Sequence, residues 1–227
     1  MTDGAEATAD TRIERYGPGF RAGIGFGAAG LLLGASFGVV AEPLMGTVAP
    51  IVMSALVFAG SAQFGATAVL AAGGDPATAI ATGTMLNLRF LPMGVAAAPA
   101  FRGRAVRRAL EGQAIVDASW AMAARGDGRF DRELMLGATV PQYLAWFSGT
   151  VVGVLFGDAL GDPEALGLDA IFPAFFLGLL AAELGRPRAL WVVLGGAAIA
   201  LALTPILPPG LPVLLASAAA LIGLLRR

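Results

Sequence analysis

Long stretches without charge alternate with short polar segments along this chain. Residues 22–41, 43–74 and 189–225 contain no Asp, Glu, Lys or Arg, and they are 20, 32 and 37 residues long. A helix needs about 20 mostly apolar residues to span a bilayer. The repeated runs therefore predict an all-α, polytopic membrane protein of about seven transmembrane helices.

The same pattern predicts where the single spans begin and end. Residues 1–19 are polar and form a short tail, and residues 20–227 form one transmembrane domain with its first span at 22–41. The 43–74 run would be about 48 Å long as one helix. It must therefore tilt, break or extend beyond the roughly 30 Å hydrocarbon core. Later spans are expected at 76–101, 134–157 and 170–184, and then as two short spans separated by the prolines of TPILPPGLP within 189–225.

Arginines cluster between the predicted spans, at 102–108, 125–132, 186–188 and 226–227. Under the positive-inside rule such segments lie in the cytoplasm. The arginine-rich 102–132 connection and the C-terminus are therefore predicted to be cytoplasmic. Counting spans backwards puts the N-terminus outside, whereas the arginines of the first 21 residues favour the inside, so the sequence leaves that side open.

Composition agrees with a membrane protein and narrows its chemistry. Hydrophobic residues make up 57% of the chain and charged residues 14%, against about 25% charged in soluble domains. The mean hydropathy is +0.76. The chain has no cysteine and no histidine, which excludes disulfides, thiol catalysis and the usual zinc sites. With no acids paired at helical spacing either, we expect no enzymatic activity, no cofactor and no metal site.

A faint internal repeat relates the two halves of the chain. The segments FGVVAEPLMGTVAPIVMSALVFAG (37–60) and GVLFGDALGDPEALGLDAIFPAFFLG (153–178) share a Gly/Val-rich helix end, an acid, a turn and a Ser/Pro–aromatic–Gly stretch. Three spans would separate the copies and invert them relative to each other, as in many secondary transporters with broken helices. Chance similarity among small apolar residues is the alternative.

Polar residues interrupt the long 43–74 run in the stretch FAGSAQFGATAVL. Gly60, Ser61 and Gln63 lie there within four positions. One interpretation is close helix packing, which small residues favour in membranes. The other is a locally unwound segment at a substrate site, where backbone groups and the Gln63 amide bind the charged ends of a zwitterion. Gln63 is harder to explain by packing, because an unpaired amide in hydrocarbon is unfavourable.

A single arginine interrupts the third predicted span. Arg89 follows thirteen uncharged residues and precedes twelve more, in NLRFLPMG. An arginine at this depth needs a partner or a cavity, and its planar fork suits a carboxylate. Substrate binding or gating is one interpretation, and a structural ion pair or snorkelling to the cytoplasmic edge is the other. Asn87 shares the site only if the helix bends, which Pro92 permits.

Two further polar residues are candidates for coupling or gating. Asp117 lies in EGQAIVDASWAMAAR, whose uncharged part is too short to span and is predicted to be re-entrant or amphipathic. Asp117 either pairs with Arg89 or carries a proton, or it is a solvated cytoplasmic acid. Gln142, beside Pro141 in the fourth span, is a weaker candidate from the second half.

Five segments of the chain resemble the AzlC-type branched-chain amino acid transporter subunit. They are GFGAAGLLLGASFG, MSALVFAGSAQF, NLRFLPMG, VDASWAMA and GLDAIFPAFFLGLL, within about residues 18–225. The resemblance implies a multi-pass permease of the bacterial cytoplasmic membrane that exports leucine, isoleucine, valine and sometimes methionine. It also implies a small, hydrophobic, separately encoded partner of the AzlD type.

Two positions depart from the family pattern. The family commonly has histidine where this chain has Phe90, and often an Asp-Glu pair where this chain has Asp117 and Ala118. A proton step through that histidine or glutamate is therefore in doubt here. A passive channel, or a scaffold subunit for another small hydrophobic solute, is the alternative to a carrier.

Overall fold

The computed structural model describes residues 3–160, 189–207 and 211–216, together with Gly167, 177–178, 180–181, 184–185 and Ala219. These residues form helices and no β-strand, which confirms the all-α prediction. The helices are α1 (Asp3–Met45), α2 (Val48–Leu56), α3 (Gly60–Ala71), α4 (Pro76–Asn87), α5 (Phe90–Ala97), α6 (Ala105–Gly112), α7 (Asp117–Ala123), α8 (Arg132–Leu160), α9 (Ala189–Leu203) and α10 (Leu211–Ala216). The predicted span at 170–184 lies, apart from a few positions, outside the described residues.

Two of the described helices are long and apolar enough to cross a membrane alone. They are the 14–45 part of α1 and the 132–157 part of α8, which correspond to the predicted first and fourth spans. The helix α1 begins at Asp3. Residues 3–19 are therefore helical and continuous with the first span.

The helices α1 and α8 pack against each other through glycines, from residues 16–39 of α1 to residues 134–157 of α8. A Cβ atom at Gly34 would lie 2.2 Å from the carbonyl oxygen of Trp146, and one at Gly153 would lie 2.1 Å from that of Ala35. Only glycine allows the two backbones to approach so closely. This is the small-residue packing that membrane helices use in place of a hydrophobic driving force.

The order of the glycine contacts shows that α1 and α8 run parallel. Gly19 lies against Leu134 near the start of both helices, and Gly38 lies against Thr150 nearer their ends. The contacts are also reciprocal, since Gly34 touches the backbone of residue 146 and Gly149 touches that of residue 31. Positions i and i + 115 are thus related by a pseudo-twofold axis along the helices, a parallel arrangement found in other transporters.

This parallel packing corrects one sequence-based expectation and answers one question that the sequence left open. The two repeated segments begin at the helix ends 37–45 and 153–160, and these helix ends point in the same direction. The predicted inversion of the repeat is therefore wrong for this part of the chain. The N-terminal half of α1 also lies beside the start of α8. The start of α1 is therefore on the same side as the arginine-rich 102–132 connection. The backward count of spans had put the two on opposite sides.

The count failed because the 43–74 run does not cross from one side to the other. It breaks at 57–59, as its length predicted, into α2 and α3. The Nε2 atom of Gln63 donates to Ser54 Oγ at 2.7 Å, although nine residues of continuous helix would separate them by about 13 Å. The chain has therefore reversed, and α2 and α3 form a helical hairpin with its tip at the middle of α8.

Beyond this hairpin the chain returns to the arginine-rich side. The helix α4 packs antiparallel to α3, with Gly83 against Ala62, and α5 continues in the same direction after a break at Leu88–Arg89. At its end, Phe101 packs with Met135 in the first turn of α8. The α4–α5 pair thus crosses in the direction opposite to α1 and α8.

A second hairpin enters from the arginine-rich side. After α6 the chain rises to Ala114, whose carbonyl accepts hydrogen bonds from Thr139 Oγ1 at 2.9 Å and Ser119 Oγ at 2.7 Å. The helix α7 then descends until Ala123 packs against Met135. The segment around Asp117 was predicted to be re-entrant or amphipathic, and re-entrant is the form it takes.

The outer surface of the described helices is apolar. Several large aliphatic and aromatic side chains are more than half exposed there: Leu32, Leu56, Ile80, Leu91, Val95, Leu155, Trp191 and Leu201. A soluble monomer rarely exposes so many. The final 189–225 run is divided as predicted, since α9 and α10 are separate short helices on either side of the proline-rich segment.

Candidate functional site

Three interruptions of the helices meet beside the middle of α8. They are the α2–α3 tip at 57–59, the α4–α5 break at Leu88–Arg89, and the 113–116 segment before α7. Between them lies a cavity of about 60 Å³, which can hold about four waters. Its lining residues are Phe26, Gly30, Leu33, Phe58, Ala59, Gly60, Ser61, Phe90, Val116, Asp117, Ala118, Gln142 and Trp146.

The guanidinium group of Arg89 connects the α4–α5 break to the other two interruptions. Its Nε and Nη2 atoms donate to the two carboxylate oxygens of Asp117 at 3.2 and 2.8 Å, and Nη1 donates to Ser61 Oγ. The side chains of the ion pair are 14% and 23% exposed. The predicted Arg89–Asp117 pair is therefore present, and Asp117 is not a solvated acid. Two parallel N–H···O bonds are the strongest geometry for such a pair.

The aromatic ring of Phe90 adds to the surroundings of this cation. The Arg89 guanidinium carbon lies 4.6 Å from the centre of the Phe90 ring. A desolvated cation over a ring face gains about 1–2 kcal/mol. Phe90 thus takes part in holding Arg89, at the position where the family commonly has histidine.

Gly60 and Ser61 line the cavity at the start of α3. Ala59 before them is extended, with φ −151° and ψ 91°, so the helix begins at Gly60 with its axis directed away from the cavity. The first N–H groups of a helix lack intrahelical acceptors and carry partial positive charge. The prediction of a broken helix at this stretch is confirmed, with its break three residues before Ser61.

Gln63 does not line the cavity. It is fully buried, and its amide donates to Ser54 Oγ, which is 2.8 Å from Thr150 Oγ1. This chain of polar groups ties α3, α2 and α8 together and keeps the hairpin closed. These bonds support the packing role that the sequence left as an alternative. The Oε1 atom of Gln63 is buried and has no hydrogen-bond partner among the described residues, and a role of Gln63 in substrate binding stays a prediction.

Asn87 and Gln142 lie on different cavities. Gln142 lines the central cavity, and its Nε2 donates to Ala138 O at 2.8 Å. Asn87 lines a neighbouring cavity of about 340 Å³, which shares Phe58, Ala59 and Phe90 with the first. Its Oδ1 is buried and has no hydrogen-bond partner within the described part of the chain.

Sequence reasoning missed the apolar wall of the cavity. Phe58 packs edge-to-face with Tyr143 at 5.3 Å and with Trp146 at 6.4 Å between ring centres. The Trp146 side chain is buried, and its Nε1 has no acceptor among the residues that the structure describes. In a chain that is 57% hydrophobic, no sequence signal separates these aromatic residues from those that face lipid.

Comparison with known proteins places the chain among membrane proteins of related sequence. The inner membrane protein YgaZ of Escherichia coli (strain K12) is 30% identical over 152 residues, covering 61% of this chain and 60% of that protein. The branched-chain amino acid transport protein AzlC of Bacillus subtilis (strain 168) is 28% identical over 151 residues, covering 65% of this chain and 59% of that protein. No solved structure matches the chain.

The matches to both relatives span about three fifths of each relative's length. A family model described as AzlC protein matches residues 25–160. This range contains α8, the two hairpins and every residue that lines the central cavity, since the lining runs from Phe26 to Trp146. The chain therefore belongs to the AzlC protein family.

Proposed function

We propose that this protein carries branched-chain amino acids across the bacterial cytoplasmic membrane by secondary transport, in the direction of export. One observation carries the proposal: an acid and a helix start line a cavity with an apolar wall at the middle of the fold, and Arg89, which is not part of the lining, binds Asp117 and Ser61 there. An amino acid with an aliphatic side chain presents the complementary groups. The name of the Bacillus subtilis relative, a branched-chain amino acid transport protein, supports the same substrate class.

The substrate carboxylate would bind between Arg89 and the start of α3. The Arg89 fork suits a carboxylate, and the N–H groups at Gly60 and Ser61 add positive potential. Trp146 lines the same cavity, and its indole N–H is buried without an acceptor within the described residues. Ser61 already accepts a bond from Arg89, so it would position the guanidinium.

The ammonium group and the aliphatic side chain would use the other walls. Asp117 supplies a carboxylate, and Gln142 lines the cavity with its amide group. Phe58 and Leu33 line the cavity with apolar surface. Burying an aliphatic side chain of leucine size gains about 1.5–3 kcal/mol.

Asp117 occupies the fork of Arg89 in this structure, so the substrate would have to exchange with it. Removing one partner of a buried ion pair costs about 3–5 kcal/mol, because the other charge is left uncompensated. A zwitterion replaces both partners at once, with its carboxylate on Arg89 and its ammonium on Asp117. An uncharged analogue cannot replace either partner of the ion pair. The Arg89–Asp117 pair would therefore open for amino acids and stay closed to uncharged solutes.

A small AzlD-like hydrophobic subunit is the proposed partner. The helix α9 has 15 residues, or about 22 Å of helix against a core of roughly 30 Å. Leu190, Trp191 and Leu194 on it are exposed. A partner helix beside this short span would cover them and reduce the mismatch.

Transport is tested by counterflow of labelled leucine in proteoliposomes, with and without the small subunit. A carrier exchanges labelled for unlabelled leucine and saturates. Flux without saturation or counterflow would indicate a passive channel, and no flux in either preparation, with insertion verified, would indicate a scaffold subunit. Preloading leucine inside or outside in a defined orientation reports the direction.

The role of Arg89 is tested by Arg89→Lys, which keeps the charge and removes the fork. We expect leucine binding to weaken at least tenfold, because a lysine cannot bind Asp117 or a carboxylate in a bidentate way. The matched control is Arg129→Lys, whose ion pair with Asp127 is exposed and so contributes little. Unchanged leucine affinity in folded Arg89→Lys protein would reject the carboxylate role.

A further inference from the structure

A second polar cavity lies at the arginine-rich end of the fold. Its volume is about 550 Å³, and it is open to the surface. Its apolar wall comes from Ala96, Pro99 and Ala100 at the end of the α4–α5 crossing and from Phe130. Five arginines line it against two acids: Arg102, Arg107, Arg125, Arg129 and Arg132, with Asp131 and Glu133.

Part of this positive charge is held in place by a buried acid. Glu111 accepts from Arg107 Nε at 2.8 Å and from Arg132 Nε at 2.8 Å, and its side chain is 12% exposed. Hydrogen bonds from Arg132 and then Arg107 lower the pKa of Glu111 to about 2 against the opposing effect of burial. Glu111 therefore stays charged near neutral pH and fixes two arginines at the cavity.

Other acids pair with most of the remaining arginines. Arg125 pairs with Asp131, Arg129 with Asp127, and Arg132 also with Glu133. Arg102, which lines the cavity, has no carboxylate within 4.0 Å among the side chains that the structure describes. The lining therefore includes one arginine whose donors are free for an anion.

The helix α6 shows where this cavity lies relative to lipid. Val106 and Leu110 are one turn apart on one face and are 73% and 70% exposed, while Arg107 and Glu111 face the ion-pair cluster. An eight-residue helix with this division is typical of the membrane interface, where the apolar face enters the acyl region and the charged face stays at headgroup depth. The cavity thus opens at the level of lipid phosphates.

We propose that this cavity binds the phosphate headgroup of an anionic phospholipid. Arginine donates two parallel N–H bonds to phosphate oxygens, and basic pockets between membrane helices on the cytoplasmic side suit such headgroups. Arg102 is the lining residue whose donors are available, and Arg107 lies next to it on the cavity wall. The acyl chains would extend along Val106 and Leu110. This proposal does not depend on which solute the central cavity binds.

The test measures thermal unfolding of the full chain in detergent during titration with short-chain phosphatidylglycerol. Phosphatidylglycerol is expected to raise the unfolding temperature with concentration, and phosphatidylcholine of the same chain length is not. Arg102→Gln should weaken the apparent affinity about fivefold, the effect of one basic residue near the surface. The matched control is Arg104→Gln, which removes the same charge from an exposed arginine outside the cavity and should leave the affinity unchanged.

Three outcomes would overturn the proposal. Equal stabilisation by both lipids would show that the headgroup charge is not recognised. Equal weakening by Arg102→Gln and Arg104→Gln would show general surface attraction without a site. Inorganic phosphate or glycerol phosphate, if as effective as the lipid at the same concentration, would show a soluble anion site. Unfolding without lipid checks that both variants fold like the parent.

Discussion

The glycine contacts between α1 and α8 give the sharpest test of the fold. In Gly153→Ala the new Cβ atom would lie 2.1 Å from the carbonyl oxygen of Ala35 and 2.9 Å from its carbonyl carbon. The contact is with backbone, which no side-chain rotation can relieve. The two helices must move apart by about 1 Å at this point, which is overpacking of a dense interface.

Overpacking of this kind costs about 1–3 kcal/mol. For a chain of this length, about 2 kcal/mol corresponds to a decrease of roughly 4–8 °C in the unfolding temperature. Gly38→Ala should have a similar effect, because its Cβ would lie 2.4 Å from Thr150 O in the symmetry-related contact. The double variant should lose less than the sum, since helices already separated accommodate the second methyl group.

The assay is thermal unfolding of purified protein in detergent, with size-exclusion chromatography to verify a single species. The matched control is Gly25→Ala on the same helix, where nothing lies within 4 Å of the new Cβ. It should be neutral or should stabilise by up to about 1 kcal/mol, because alanine is the better helix former. Equal unfolding temperatures for Gly153→Ala and Gly25→Ala would refute the close parallel packing.

Three further predictions follow from the same structure. Because the chain has no cysteine, Glu14→Cys and Arg104→Cys should label with an impermeant maleimide from one side of the membrane and Asp75→Cys from the other; labelling of the first two from opposite sides would refute the parallel α1–α8 arrangement. Glu111→Gln should lower stability near pH 7 by about 2–3 kcal/mol. The parent should lose this contribution as the pH falls from 4.5, the pKa of Glu111 in the unfolded chain, towards its pKa of about 2 in the folded protein. If parent and variant lost stability equally as the pH falls, this prediction would be contradicted. Gln63→Leu should lower the unfolding temperature and retain leucine counterflow, because Gln63 closes the hairpin away from the cavity; a stable but inactive variant would restore its role in substrate binding.

The pattern of charged and uncharged residues was enough to predict the class of fold and the positions of several breaks. Charge-free runs are a local property of the chain, and they identified a membrane protein with spans at α1 and α8. The length of the 43–74 run required an interruption, and the structure has one at 57–59. An arginine inside an apolar segment must find a partner wherever it lies, so Arg89 could be selected without knowing that partner's place.

The direction of the helices and the pairing of their polar side chains depend on contacts between distant parts of the chain. Hydropathy does not distinguish an apolar run that crosses the membrane from one that turns back within it. The turn at 57–59 therefore reversed the direction that the sequence had predicted for the first span. The pairing of Arg89 with Asp117 depends on contact across 28 positions. Ser61 and Gln63 are two residues apart at the start of α3, yet Ser61 lines the cavity and Gln63 binds Ser54. Which polar group faces a substrate is thus set by how the broken helices meet.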